Sequence, residues 1–160
     1  MSVSRTVIEG LKELGFGLSP KPGYDIPTLP RDITELDDEG LMDLFVQFTQ
    51  WNDHLAGALA IAIINEREAI RAVDYAEASG MLKNWTGAKG DRVALIKAQI
   101  LASEDMQALH HEADIKYAYR KVLETRTANV ERDSQVVSRE LTRRTSDGGG
   151  MRSRSRRFNT

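Results

Sequence analysis

His110-His111-Glu112-Ala113-Asp114 gathers two imidazoles and two carboxylates within five residues, the side-chain types that ligate a divalent metal. On a helix His110 and Asp114 share a face, but zinc takes three or four protein ligands and no further donors stand at ligand spacing. H-E-x-x-H is absent, so the segment reads as a solvated helix face with no metal. Gly80 to Gly90 carries Lys83 and Lys89 among glycines, a composition that could cradle phosphate. It lacks G-x-x-x-x-G-K-[ST] and no strand precedes it, which argues against nucleotide hydrolysis. Asn84-Trp85-Thr86 matches a glycosylation sequon, without force where no secretion signal opens the chain. No Ser/His/Asp arrangement or carboxylate pair sits in suitable turn chemistry, and the absence of cysteine removes thiol catalysis, thiolate metal sites and disulfides together. The expectation is a protein without catalytic residues, cofactor or metal.

The residues with the clearest capacity to bind something lie at the C-terminus. From Arg139 to Thr160 there are seven arginines against Glu140 and Asp147, a surplus of five that leaves the other 138 residues at −7 within a net charge of −2. Arg143, Arg144, Arg152, Arg154, Arg156 and Arg157 can each grip phosphate or carboxylate in bidentate fashion, and Phe158 can stack on a base or fill a pocket. Such a tail is attracted to nucleic acid in a salt-sensitive, sequence-independent way. It is equally suited to an acidic protein face, and a solubilising tail is the plain alternative.

The elements that position these residues are helical. The chain has 160 residues, 41% apolar and 29% charged, which is the composition of a folded soluble domain. Ser4 to Leu14 spaces Val7, Ile8, Leu11 and Leu14 as a short amphipathic helix stopped by Gly15 and Gly17. All four prolines fall between Ser19 and Asp32, which predicts an extended arm. Asp37 is a good N-cap, with Leu36 and Leu41 placed as a hydrophobic staple, for one helix over about 38–83. Its predicted apolar stripe is Leu41, Leu44, Phe45, Phe48, Trp51, Leu55, Leu59, Ile63, Ile70 and Val73. Asn84 to Asp91 is the interior loop, with Trp85 as a packing anchor, and Asp91 caps a short helix ending at Leu101. Ser103 then starts a last helix to about Arg144, facing inward through Met106, Leu109, Ala113, Tyr119, Leu123, Val130, Val137 and Leu141. Its second half has a coiled-coil-like seam, Leu123, Thr127, Val130, Ser134, Val137 and Leu141. Asp147-Gly148-Gly149-Gly150 is a flexible break before the tail.

The expected fold is therefore all-α: a long antiparallel helical hairpin with a short N-terminal helix, a proline-rich arm and a basic C-terminal tail. The divisions fall at 1–36 for helix and arm, 37–145 for the hairpin, and 146–160 for the glycine linker and arginine tail. A helix of about 46 residues is roughly 69 Å long, and its partner of about 41 is roughly 60 Å. A compact domain of this length is only roughly 40 Å across. Two such rods bury one stripe each and leave Ile61 and Ile64 outward, so association of several copies is the natural remedy. Leu55 to Ile64 has no polar side chain and is too short to cross a bilayer. It reads as a surrounded core, either within one subunit or between subunits. Phe48, Trp51, Leu55, Leu59, Ile61, Ile63 and Ile64 are the expected oligomer interface.

Residues 97–141 resemble the phage recombination-mediator family of T-even type. The likeness lies in the acidic helix start Ser103-Glu104-Asp105, the tyrosines Tyr117 and Tyr119, and the basic helical end; the Trp51 helix and the glycine-rich loop fit that organisation. The resemblance implies ring formation and single-stranded DNA binding, and the proline arm and the tail after Gly150 lie outside it. The helix-rich, tail-bearing chain also looks like small head-associated proteins of tailed actinobacterial phages. Together these imply a non-enzymatic virion protein of the head or head–tail junction, assembled in the host cytoplasm. Its partners would be itself, other phage structural proteins and DNA through the tail, with no membrane. The alternative is a DNA-binding mediator confined to the host cytoplasm.

Overall fold

The computed structural model describes residues 2–85, 87 and 93–155, with side chains as far as Ser146. Its elements are α1 (Val3–Glu13), a 3₁₀ turn (Ile33–Glu35), α2 (Asp38–Asn84), α3 (Val93–Leu101) and α4 (Glu104–Ser155). No strand occurs among the described residues. The chain divides into two compact units, Met1–Leu18 with Ala58–Glu124 and Ser19–Gly57 with Thr125–Thr160.

Local chemistry explains where the helices start and stop. Ser2 caps α1 by accepting from the Arg5 N–H. At its other end Phe16 N–H donates to the Leu11 carbonyl at 2.8 Å and Gly15 N–H to that of Lys12 at 3.0 Å. With Gly15 at φ +82°, this is a Schellman turn, which needs the left-handed residue that glycine supplies. The Asp37 carboxylate accepts from the Gly40 N–H at 2.8 Å and so starts α2 as its position predicts. Ser103 Oγ accepts from the Met106 N–H at the start of α4. The expected cap of α3, Asp91, lies outside the described residues. Helix α4 continues through Asp147–Gly150 to Ser155, beyond the stop at about Arg144 that the glycines predict. An established helix extends without the nucleation cost, and no proline interrupts the segment.

In the first unit Val73, Ile96, Ile100 and Met106 form a buried cluster, with Met81, Leu109 and Ala113 packed against it. α3 sits close on α2 because residue 80 is glycine: a Cβ there would lie 3.1 Å from Ile100 Cδ1. In the second unit Leu41, Phe48, Trp51 and Leu55 of α2 and Val130 and Val137 of α4 are buried. Thr127, Ser134 and Leu141 are half-buried beside them, so the predicted seam is the inward face of this half of α4.

Two residues expected to face inward do not. Ile70 and Tyr119 are 46% and 58% exposed rather than inward. The buried seam of α2 runs instead through Ala62, Glu66 and Val73, and α4 turns Lys116 and Arg120 part-way inward. Within the single chain Leu55–Ile64 leaves Ala56 and Ala60 exposed, and small side chains cost little when exposed. Trp85 is 52% exposed.

Candidate functional site

The expected interface residues fall into two groups. Phe48, Trp51 and Leu55 are at most 6% exposed in the single chain, so their burial needs no second copy. The chain's own arm and α4 residues share their unit, which is the physical reason for the correction. Leu59, Ile61, Ile63 and Ile64 are half-buried, Ile61 and Ile64 included, and retain part of their apolar surface. A further stripe was missed by sequence reasoning. Ile115, Tyr119 and Val122 follow one another by four and three residues on α4 and are 52%, 58% and 60% exposed. Their spacing was legible, but the tyrosine was assigned to the inward face.

The arginines are positioned by α4. Glu140 is buried and takes Arg143 Nη2 at 2.7 Å and Arg144 Nε at 2.8 Å. Arg144 also donates from Nη1 to Asp38 at 2.9 Å and from Nη2 to the Thr34 carbonyl at 3.1 Å. One guanidinium thus joins the 3₁₀ turn, the first turn of α2 and α4 within the second unit. The hydrogen bonds from Arg143 and then Arg144 hold the Glu140 carboxyl down at about 2, against an ordinary 4.5. Asp38, then Glu140, raise Arg144 further above its already high value. Arg143 and Arg144, expected to face nucleic acid or an acidic partner, are therefore engaged by carboxylates of their own chain. The i, i+3 and i, i+4 spacing from Glu140 carries the signal for this. The backbone of Arg152 and Arg154 is helical but their side chains are outside the description, and Arg156, Arg157 and Phe158 lie outside the described residues.

The first unit has its own ion pair. Arg120 Nε and Glu66 Oε2 are in direct contact, with a second bond from Nη2 to Oε1 at 3.4 Å, and the two side chains are 19% and 12% exposed. The guanidinium lies 5.3 Å from the Tyr117 ring centroid and also binds Glu124 at 3.1 Å. The Glu66 hydrogen bond pushes the Arg120 pKa up. Beside it, a groove of about 470 Å³ runs between α1, α2 and α4, lined by Ser4, Asn65, Glu68, Ala69 and Lys116. A second groove of about 470 Å³ continues from it past Leu109 to Tyr75 and Lys83.

In the second unit the proline arm lies on α2 through two bonds. Tyr24 Oη donates to Gln50 at 2.5 Å, and His54 Nδ1 is 3.0 Å from the Ser19 carbonyl oxygen. His54 also meets Trp51 edge-on at 5.8 Å between centroids. His110, His111, Glu112 and Asp114 are all exposed, and among the described residues no group of three or more metal-ligating side chains converges. No described helix is long and apolar enough to cross a membrane. What this arrangement offers chemically is contact surface: apolar stripes, paired charges and open grooves.

Comparison of the chain with protein-family models, with curated proteins and with solved structures yields no match.

Proposed function

We propose that this chain is a non-enzymatic helical assembly protein, a structural component of a phage particle at the head or the head–tail junction, whose copies associate through their helices. The single observation that carries self-association is the apolar stripe Ile115–Tyr119–Val122, more than half exposed on a 52-residue helix. A soluble protein gains by covering such a stripe, and an identical neighbour supplies the means. The antiparallel hairpin belongs to the same reading. In the first unit Glu66 meets Arg120 while Val73 packs in one cluster with Met106, so position along α2 rises as position along α4 falls.

A mediator that binds single-stranded DNA is the second reading. It rests on the resemblance of residues 97–141, within which Ser103 caps the start of α4. With Arg143 and Arg144 engaged by Glu140 and Asp38, DNA contact in this reading falls to Arg152, Arg154, Arg156 and Arg157.

Mass spectrometry of purified particles tests the first reading, which expects the chain at a fixed copy number; its absence from particles contradicts it. Binding of a single-stranded oligonucleotide that weakens steeply with salt is the result the second reading expects, and failure to bind at low salt removes it.

A further inference from the structure

Helix α1 is amphipathic in sequence and shallowly seated, with Ile8 and Leu11 of its apolar face half-buried. Its one buried residue is Ser4, while Val3 and Val7 are 44% and 38% exposed. Its seat on α2 includes a polar anchor: the Val3 N–H donates to both carboxylate oxygens of Glu68 at 3.3 Å, and Ser4 lines the groove with Ala69 and Ala72. The connector that follows carries three apolar side chains in the open, Leu14 at 73%, Phe16 at 65% and Leu18 at 42% exposure. A Cβ on Gly15 or Gly17 would meet no atom within 4 Å. Gly15, at φ +82°, is the residue on which the chain turns back.

An arm held by a backbone anchor and two half-buried apolar side chains, and followed by a glycine-bearing connector, can be seated on another copy without losing any contact, because the seat offers the same groups to any identical helix. What exchange adds is burial. The three connector side chains expose on the order of 400 Å² per copy, about half of the roughly 800 Å² that one partner contributes to a standard interface. Two connectors crossing side by side would cover that surface, and the α1 seat supplies the remainder of the contact.

We infer that α1 is an exchange arm: α1 of one copy occupies the Glu68 seat of a second copy, and the second returns its own. This rests on the self-association in the proposed function and adds a second surface to the Ile115–Tyr119–Val122 stripe.

The chain has no cysteine, so introduced thiols are unambiguous. In the full-length protein Ser4→Cys with Ala69→Cys places two small replacements on one groove, and Ser2→Cys with Ala72→Cys is a second pair on the same groove. After bridging with a short bis-maleimide, exchange predicts that most linked product runs on a denaturing gel at twice the chain mass or more. Product linked within single chains overturns the exchange. Free thiols that fail to link in both variants overturn it as well, since α1 would then occupy no seat. Light scattering on the same samples separates the failures: intrachain links in an oligomer reject only the exchange, and intrachain links in a monomer reject self-association too.

Discussion

Glu140 is a carboxylate almost removed from water yet kept ionised by two guanidinium groups of its own helix. Because its folded pKa of about 2 lies below the ordinary 4.5, the folded chain binds fewer protons here than the unfolded chain between those values. Its contribution to stability is fully present above about pH 5 and is lost as pH falls through 4.5 towards 2. Asp32 titrates in the same sense, lowered by the Thr34 hydroxyl and then the Thr34 N–H. Glu140→Gln should lower the melting temperature by several degrees at pH 7 and leave a smaller gap from the native chain at pH 3, measured by circular dichroism. An unchanged gap across that range would contradict the assignment. Arg144→Lys should reproduce part of the loss, because a lysine ammonium cannot reach Asp38, Glu140 and the Thr34 carbonyl together.

At the scale of elements, Gly80 sets how closely α3 approaches α2. Replacement by alanine gains about 1 kcal/mol of helix propensity. The new methyl would meet Ile100 Cδ1 and Cγ1 at 3.1 Å and Cγ2 at 3.2 Å, and a β-branched side chain cannot withdraw all three. Overpacking of about 1–3 kcal/mol should win, so Gly80→Ala is expected to destabilise by about 1 kcal/mol. Combined with Ile100→Val, the loss should fall short of the sum of the single losses by about 1 kcal/mol in urea unfolding. Strict additivity would contradict the contact. The helix starts were legible because caps are local: Asp37 and Ser103 announce α2 and α4 within three residues. The seam of α4 was legible from Leu123 onward for the same reason, its apolar residues keeping the four/three step. Before Leu123 the inward positions Met106, Leu109 and Ala113 are also as expected, and only Tyr119 is not: Lys116 and Arg120 occupy the inward step, and charge suggests an outward face until Glu66 is brought opposite Arg120. Glu66 stands 54 positions away, and no local pattern pairs the two. Likewise Ile70 was taken for the core, whereas the buried step falls on Glu66 and Val73.

For the molecule as a whole, the uneven charge has a partly internal use. An acidic body and an arginine-rich end suggested an external acidic partner, but Arg143 and Arg144 find Glu140 and Asp38 in their own chain. The arginines from Arg152 onward remain the ones assigned to an outside partner. Phe48, Trp51 and Leu55 are shielded by the single chain, so association does not depend on them. The proposed association rests instead on surface left over in the first unit: the Ile115–Tyr119–Val122 stripe, and α3, an apolar helix whose Leu95 is 56% exposed. Tyr119→Lys together with Val122→Glu should therefore weaken association at least tenfold while leaving helicity unchanged.

The central claim is that the chain associates with itself, and the absolute mass in solution tests it most directly. Multi-angle light scattering on the full-length protein, across a hundredfold range of concentration at moderate salt, is predicted to give a whole-number multiple of 17.9 kDa. A mass that stays at 17.9 kDa up to the highest concentration would contradict it.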